Sequence, residues 1–370
     1  MSDFFLGGRE VFYPTSDKLL KTAKKIRAGL GDWPCARQPV HICFVPPPWP
    51  LGYHDVIIAT DTQPSSVDAA FWIDSGAAVL DASARTVTRL YQGHTLRILE
   101  ASRCADWIAA LAAFIDCGYD LHDALCLALA WRHGDEYTQD PWPSDISRFP
   151  RVLGLPDAPV QPFAKCPAAL GLYPIVPTAD WISRLLLMGV CTVQLRRKVN
   201  GGPHNLAVLQ NDVRAAIIAG RRYKDARVFI NDHWKLALEE RAYGVHLGQE
   251  DLWRSDISAL MEAGLRLGVS SHGYYEILVA LHFKPSYIAL GAVFPTTTKV
   301  MPSLPQGLSR LTRYVHLLKG VTPCVAIGGI DLQSLGRVLA TGVLSAALVR
   351  AVTQAHNVEE TIFALQTKFV

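Results

Sequence analysis

The 370-residue chain lacks the features that mark several specialised classes of protein. None of its eight cysteines forms a CxxC pair, and they are scattered through apolar segments, so we expect buried free thiols in a reducing compartment. No uninterrupted apolar run of about 18 residues occurs, which argues against a membrane span. The opening MSDFFLGGRE has no basic region followed by an apolar run, so we expect no signal peptide. These absences predict a soluble cytoplasmic protein.

A strong charge of either sign is also missing. The formal net charge is +3 and no long basic run occurs, so nucleic acid and acidic membranes are not indicated as partners. Half of the residues are hydrophobic, at 50%, and only 19% are charged, which is typical of a globular protein with a sizeable core. The chain is longer than most single domains, so two domains are expected.

Proline is concentrated in one stretch of the chain. It occurs at positions 141, 143, 150, 156, 159, 162 and 167. Because proline breaks both helices and central strands, residues 141–166 are predicted to be a linker or an irregular wrap. The linker would separate an N-terminal domain, residues 1–140, from a C-terminal domain, residues 167–370.

The C-terminal region alternates short apolar runs with segments of helical spacing. This alternation implies parallel strands joined by crossover helices, and eight such units in about 200 residues match a small (β/α)₈ TIM barrel. An open, doubly wound sheet is the alternative that the pattern alone leaves. The expected strands are Leu172–Val176, Thr192–Leu195, Val228–Ile230, Gly244–Leu247, Leu265–Val269, Tyr287–Leu290, Cys324–Ile327 and Ala346–Val349. The expected helices include Trp181–Met188, Leu206–Ala219 and Leu332–Ala340.

The N-terminal region has a weaker pattern. Ser16–Leu30 is predicted to be an amphipathic helix with a serine or threonine cap. Asp55–Thr60 and Ala78–Leu80 are predicted strands, and Ala105–Ile115 and Asp120–Trp131 are predicted helices. These elements indicate a smaller α/β domain but do not define its topology.

Polar residues follow the second predicted barrel strand, at the end where such barrels carry their active sites. Gln194, Arg196 and Lys198 are two residues apart and therefore point the same way. Leu195 and Arg197 point to the other side. One amide and two cations are thus expected to converge on one spot.

Two carboxylates are expected at the same rim, since Asp232 and Asp251 follow neighbouring strands. Lys299, after the sixth strand, can add a third cation. Mg²⁺ in proteins often takes one or two carboxylates together with substrate phosphates. The rim therefore predicts a Mg²⁺–polyphosphate site. Gly328–Gly329 and the end of the eighth strand predict a separate site for a simple phosphate, bound through backbone N–H groups.

The barrel region resembles the thiamine phosphate synthase family over about residues 168–355. The resemblance is carried, in order, by GLYPIVP, GVCTVQLRRK, FIND, GVHLGQEDL, LGVSSH, YIALGAVFPTTTK, PQGL and PCVAIGGI.

The resemblance implies a role for each site residue. It assigns pyrimidine and pyrophosphate binding to Gln194, Arg196, Lys198, Asn231, Ser270 and Lys299. Arg196, Ser270 and Lys299 are the residues expected to act in catalysis. It assigns Mg²⁺ to Asp232 and Asp251, and the thiazole phosphate to Thr296, Thr298, Gly329 and Val349. The implied partners are these two small-molecule substrates, and a homo-oligomer is left open.

The implied reaction is dissociative. Pyrophosphate leaves hydroxymethylpyrimidine pyrophosphate, and the thiazole nitrogen captures the resulting cation to give thiamine phosphate. Fixed cations and Mg²⁺ act where charge builds on the leaving group. Arg350 departs from the family, in which serine is common after the eighth strand, and so does His233, where arginine is expected. His246 and His272 are interpreted as structural.

Two other functions remain open at this stage. One is a thiazole tautomerase-like isomerase on the same barrel, against which the retained cations and carboxylates speak. The other is a non-catalytic thiamine-pathway binding protein.

Residues 104–131 resemble the end of a ribokinase-like hydroxymethylpyrimidine phosphate kinase. That family forms an anion hole with a Gly-x-Gly-Cys run, whereas this chain has Ala101–Ser102–Arg103–Cys104. Side chains at the glycine positions obstruct the approach of a phosphate to backbone N–H groups. The N-terminal domain is therefore predicted to be a truncated, inactive kinase relative with a structural or regulatory role, and an unrelated α/β domain is the alternative that stays open.

Overall fold

The computed structural model describes residues 11–34, 40–198, 203–297 and 304–369. The chain divides into two compact units, one up to Leu155 and the other from Pro156. Each is described by itself. Within the described ranges, no helix is both long and apolar enough to cross a membrane.

The N-terminal unit contains a seven-stranded mixed sheet whose strand order follows the chain. The first four strands are parallel and the last three run antiparallel to their neighbours. The strands are β1 (Phe12–Tyr13), β2 (His41–Phe44), β3 (Asp55–Ala59), β4 (Ala78–Asp81), β5 (Val87–Gln92), β6 (Thr95–Glu100) and β7 (Arg151–Leu153).

Four α-helices accompany this sheet in the described residues: α1 (Asp17–Gly29), α2 (Ser66–Asp74), α3 (Trp107–Asp116) and α4 (Leu121–Ala130). Ser16 caps α1, because its side chain accepts a hydrogen bond from the N–H of Leu19. Every residue of α3 is buried, as its almost continuous apolar sequence requires. A buried ion pair joins α1 to α3, with Arg27 Nε 2.7 Å from Asp116 Oδ2.

The proline-rich segment is more ordered than a simple linker. Its first part belongs to the N-terminal unit, since β7 pairs with β6 and Trp142 is buried. Its second part lies against the start of the barrel strands. There Ser286 Oγ donates to Ala164 O at 2.6 Å, and Phe163 N donates to Lys284 O at 3.1 Å. The prolines thus shape an irregular segment whose backbone is tied to both folds at its two ends.

The C-terminal unit is a closed barrel of eight parallel strands, which confirms the TIM-barrel prediction. Pairing of the last strand with the first closes the barrel and excludes the open sheet. The strands are β8 (Gly171–Val176), β9 (Thr192–Leu195), β10 (Arg227–Asn231), β11 (Gly244–Leu247), β12 (Arg266–Ser271), β13 (Tyr287–Leu290), β14 (Cys324–Ile327) and β15 (Ser345–Leu348).

Ten α-helices of this unit are described. They are α5 (Ala179–Leu187), α6 (Pro203–Arg221), α7 (Trp234–Glu239), α8 (Gln249–Leu252), α9 (Ile257–Glu262), α10 (Tyr274–His282), α11 (Gly307–Leu318), α12 (Leu332–Leu339), α13 (Arg350–Thr353) and α14 (Val358–Gln366).

Large aromatic rings fill the interior of the barrel. Tyr173, Phe229 and Tyr287 pack together with small aliphatic residues of other strands. Gly268 makes room for one of these rings, because a Cβ at this position would lie only 2.2 Å from a ring carbon of Tyr287. The packed interior closes the centre of the barrel and leaves a cavity at the C-terminal ends of the strands.

Seven of the eight cysteines lie in described residues, and all seven are free thiols. Three are buried, three are partly buried, and Cys191 is exposed. The expectation of uniformly buried thiols is therefore wrong for Cys191, which directly precedes β9 at the surface.

Candidate active site

A cavity of about 610 Å³ opens at the C-terminal ends of the barrel strands. Its wall contains all of the predicted site residues that the structure describes, namely Gln194, Arg196, Lys198, Asn231, Asp232, Asp251, Ser270, Thr296, Gly329 and Val349. Thr298 and Lys299 lie outside the described residues.

The alternation along β9 and the residues after it separates two neighbouring arginines. Arg196 faces the cavity together with Gln194 and Lys198. Arg197 instead forms an ion pair with Asp212 of α6. Two adjacent residues of the same type therefore have different surroundings, and only one of the two lines the cavity.

Asp232 and Asp251 stand on the cavity wall, Asp232 directly after β10 and Asp251 in α8, the short helix that follows β11. Burial, and then the neighbouring Asp251 carboxylate, raise the pKa of the Asp232 carboxyl above its usual value, while Arg196 opposes the shift. Asp232 also adopts a left-handed backbone with φ of 60°, held by donation from its N–H to His246 O at 3.0 Å.

Two carboxylates near enough for one to raise the pKa of the other are a suitable binding place for a divalent cation, whose charge removes their repulsion. No group of three or more metal-ligating His, Cys, Asp or Glu side chains was found in the described parts of the chain. A pair of carboxylates fits a Mg²⁺ ion that takes its remaining ligands from substrate phosphate and water.

The opposite part of the wall is suited to a phosphate group. Gly328 and Gly329 follow β14 with φ of 103° and 66°. A Cβ on Gly329 would lie 2.6 Å from Pro295 O, so this close approach of two backbone segments requires glycine. Val349 and Arg350 lie on the same wall after β15. Backbone N–H groups at this place in a barrel commonly bind phosphate.

His246 lies on the cavity wall as well, although the sequence interpretation had given it only a structural role. Its Nε2 is 2.9 Å from Ser270 Oγ, and its Nδ1 is 2.8 Å from Tyr287 OH. The main-chain carbonyl of Ser270 accepts a hydrogen bond of 2.7 Å from Gln249 Nε2. Ser270 is thus held from both its side chain and its backbone.

His272 is fixed at the rim by an acidic neighbour. Its main-chain N–H donates to Glu276 Oε2 at 2.8 Å, and its Nδ1 lies 2.7 Å from the same oxygen. The ring lines the cavity. The structural role interpreted for His272 from the sequence stays a prediction.

Sequence reasoning missed the apolar part of the wall, formed by Ile175, Ala289, Ile327 and Ala347 among others. The signal was present in the alternation of each strand, since Ile175 is two residues from inward-facing Tyr173. Polar residues alone had been used to define the site. The apolar surface gives a flat heterocycle a place to pack beside the charged rim.

In the N-terminal unit, Arg103 occupies the turn before α3. Its guanidinium donates to Ala82 O at 2.8 Å, Thr88 Oγ1 at 2.9 Å and Val87 O at 3.2 Å, and it also contacts Ala84 O. Burial raises the pKa of the adjacent Cys104 thiol. This turn therefore holds a cation bound to the backbone and a protonated thiol.

Comparison with known proteins points to one family. The family described as thiamine monophosphate synthase matches residues 172–352. A protein of Salmonella choleraesuis named thiamine-phosphate synthase is 56% identical over 205 residues, which cover 55% of this chain and 92% of that protein. A protein of Salmonella newport with the same name is 57% identical over 202 residues, covering 55% of this chain and 90% of its own length.

Among solved structures, thiamine phosphate pyrophosphorylase from Pyrococcus furiosus is 30% identical. It aligns over 54% of this chain and 95% of its own, with a TM-score of 0.45.

Proposed function

This chain belongs to the thiamine-phosphate synthase family, and we propose that its barrel carries out the synthesis through a Mg²⁺–pyrophosphate site at the rim. The protein is a transferase that makes thiamine phosphate. Its substrates are hydroxymethylpyrimidine pyrophosphate and thiazole phosphate, and pyrophosphate is released. The observation that carries the mechanism is the convergence of Arg196, Lys198, Asp232 and Asp251 on one cavity wall.

Asp232 and Asp251 would hold Mg²⁺, and the ion would supply positive charge to the oxygens of the leaving pyrophosphate. The protein itself provides fixed cations at the same place, in Arg196 and Lys198. These groups need little reorientation when charge develops, so they stabilise the separating anion more than they stabilise the intact substrate. Departure of pyrophosphate leaves a pyrimidinylmethyl cation, which the thiazole nitrogen captures.

The remaining wall positions the two heterocycles. Gln194 and Asn231 present amide groups that can bind the polar edge of a pyrimidine, and Ser270 adds a hydroxyl. The glycine pair Gly328–Gly329 and the turn at Val349 are placed to bind the thiazole phosphate. Exclusion of water by the apolar wall would protect the cation from hydrolysis.

The direct test supplies both substrates and Mg²⁺ to the full chain and measures thiamine phosphate and pyrophosphate together. We expect equal amounts of the two products, and no thiamine phosphate when either substrate is omitted. Chelation of Mg²⁺ with EDTA should stop the reaction, and added Mg²⁺ should restore it. An isomerase would instead convert a thiazole substrate without pyrimidine, and a binding protein would give no product. Either result would overturn the proposal.

For the N-terminal unit we propose a structural or regulatory role without phosphoryl transfer. Arg103 supports this, because it stands where the kinase family uses glycine, and its side chain donates hydrogen bonds to the unit's own backbone at Ala82 O and Val87 O. The kinase relationship, the cytoplasmic location and assembly into a homo-oligomer stay predictions.

A further inference from the structure

A continuous chain of hydrogen bonds crosses the interior of the barrel beneath the cavity. It runs from Gln194 Nε2 to Tyr173 OH at 3.0 Å, from Tyr173 OH to Tyr287 OH at 2.9 Å, and from Tyr287 OH to His246 Nδ1 at 2.8 Å. The final contact joins His246 Nε2 to Ser270 Oγ at 2.9 Å. Both ends of the chain line the cavity, while the two tyrosines do not.

The middle of this chain is shielded from water. Tyr287 is 0% exposed, Tyr173 1%, Gln194 2% and His246 5%. Burial raises the pKa of both the Tyr173 and the Tyr287 phenols. Each phenol therefore keeps its one proton and can donate only one hydrogen bond. In a buried chain, the direction of each bond then depends on the bond before it.

The direction can be followed from the amide. Gln194 Nε2 can only donate, so Tyr173 OH accepts this hydrogen bond and donates its own to Tyr287 OH. Tyr287 in turn donates to Nδ1 of His246. The neutral ring then carries its proton on Nε2 and donates it to Ser270 Oγ. Because Nε2 donates in this contact, it cannot accept from the Ser270 hydroxyl, whose proton is then available to a ligand in the cavity.

We propose that Tyr173, Tyr287 and His246 are positioning residues that make Ser270 a hydrogen-bond donor to the pyrimidine substrate and couple its orientation to that of Gln194. This rests on the proposed function, because it requires Ser270 to contact the pyrimidine pyrophosphate. The acceptors on that substrate are ring nitrogens and phosphate oxygens. If the Ser270 hydroxyl were free to rotate, ordering it on binding would cost free energy and weaken its contribution to substrate binding.

The barrel is built around this chain. Gly268 lies on β12, between β11, which carries His246, and β13, which carries Tyr287. It pairs with both of these residues in the sheet. A Cβ there would lie 2.4 Å from the hydroxyl oxygen of Tyr287. Even alanine would therefore displace the hydroxyl group that links Tyr173 to His246. Glycine at this position therefore leaves space for the hydroxyl of Tyr287 as well as for its ring.

The test is a double-mutant cycle between Tyr287→Phe and Ser270→Ala. Two quantities are measured, the Kd for hydroxymethylpyrimidine pyrophosphate by calorimetry and kcat/KM for the same substrate. Tyr287→Phe keeps the ring and removes only the hydroxyl that links Tyr173 to His246. We expect it to weaken binding and kcat/KM about tenfold, while the KM for thiazole phosphate stays unchanged. In the Ser270→Ala background the further loss should be less than about twofold, because the chain then has nothing to orient.

Tyr243→Phe is the matched control. Tyr243 precedes β11, packs against Phe229 with ring centroids 5.3 Å apart, and does not line the cavity. Its loss of a hydroxyl should leave binding and kcat/KM unchanged. Equal losses from Tyr287→Phe in both backgrounds, or the same loss in Tyr243→Phe, would overturn the proposal.

A second pair of variants decides the matter if Tyr287→Phe does not fold. Glutamine at position 246 carries an acceptor and a donor on one carbon, so it can accept from Tyr287 and donate to Ser270. His246→Gln should therefore retain at least about tenfold more kcat/KM than His246→Leu. If only packing matters, leucine should do as well as glutamine, and the proposal fails.

Failure of the proposed function gives a different result. A wild type that binds the pyrimidine substrate without making thiamine phosphate overturns that function, while the binding cycle still decides whether the hydrogen-bond chain orients Ser270. A wild type that neither binds nor reacts overturns both.

Discussion

In the N-terminal unit two arginines bind a carboxylate and backbone carbonyls of the unit itself, whereas in the barrel two cationic side chains face a cavity. Arg27 pairs with buried Asp116, and Arg103 donates to backbone carbonyls of the β4–β5 connection, among them Ala82 O. Arg196 and Lys198 instead stand on the wall of a cavity of about 610 Å³. The same residue type is therefore structural in one unit and placed for a ligand in the other.

The difference teaches that the partners of a charged side chain, and not its residue type, indicate whether it stabilises the fold or is available to a ligand. A charge whose partners are all internal contributes through those partners, and its loss leaves buried acceptors without donors. A charged side chain that faces a cavity is available to form an ion pair with a ligand. The two consecutive arginines after β9 show the same contrast, since Arg196 lines the cavity whereas Arg197 pairs with Asp212.

The largest effect is expected from removing both carboxylates of the proposed Mg²⁺ site. Asp232→Ala together with Asp251→Ala should lower kcat at least about 10³-fold, because the leaving pyrophosphate loses the bound cation. Pyrophosphate release at saturating substrates measures this. Asp225→Ala, an exposed carboxylate before β10, is the control and should keep full activity. Full activity in the double variant would show that these carboxylates do not hold a required ion.

The next effect compares the two adjacent arginines. Arg196→Ala should lower kcat about 10²–10³-fold, since one fixed cation is lost from the leaving-group site. Arg197→Ala should change kcat less than about twofold and the free energy of unfolding by about 1 kcal/mol or less, as for a partly exposed ion pair. Steady-state kinetics and thermal unfolding of both variants test this. Similar losses of kcat would contradict the separation of their roles.

A smaller effect is expected at the proposed phosphate site, on the cavity wall after β14. Gly329→Ala should raise the KM for thiazole phosphate about ten- to a hundredfold, because its Cβ would meet Pro295 O at 2.6 Å and move the phosphate-binding backbone. Gly342→Ala is the control for backbone strain, with φ of 90° and its nearest neighbour, a Val315 side-chain atom, at 3.7 Å. Gly342→Ala should lose about 1–2 kcal/mol of stability from strain alone, and Gly329→Ala should lose at least as much. A raised KM in both would attribute the effect to strain alone.

In the N-terminal unit, Arg103→Ala should lower the free energy of unfolding by about 2 kcal/mol, since several backbone acceptors lose their donor. Arg85→Ala, at an exposed position nearby, should have little effect. Synthase activity below the unfolding temperature should stay within about twofold of wild type in both, as expected for a charge with only internal partners. A tenfold loss in folded Arg103→Ala would instead show that this unit takes part in the reaction.

The last prediction is that no reaction occurs. Supplied with ATP and hydroxymethylpyrimidine phosphate, the full chain should form neither ADP nor the pyrimidine pyrophosphate, because Ala101–Ser102–Arg103–Cys104 lacks the glycines that the proposed kinase resemblance would require. Product formation, measured by chromatography against an enzyme-free control, would overturn the assignment of the N-terminal unit as catalytically inactive.

Much of the barrel could be predicted from the sequence. All eight strands were located to within two residues, because each is a short apolar run bounded by turns, and buried parallel strands have this pattern. The N-terminal sheet was predicted less completely. Its hairpin β5–β6 was missed, since its half-buried strands mix polar and apolar residues, and β7 was hidden in a proline-rich stretch.

For the site, the sequence alone determined which polar residues follow each strand and, through the two-residue period, that Gln194, Arg196 and Lys198 share a side. The motifs in order identified the family. These are local properties, set by spacing along one chain segment.

Only the tertiary structure decided what lies between those residues. Barrel closure brings Gln194 of β9 and Ser270 of β12 to opposite ends of one hydrogen-bonded chain through Tyr173, Tyr287 and His246. Contacts between strands far apart in sequence depend on register and on ring packing, and no local pattern records either. The need for glycine at position 268 is also visible only in the tertiary structure. The hydroxyl of Tyr287, on the neighbouring strand, occupies the space that a side chain there would fill.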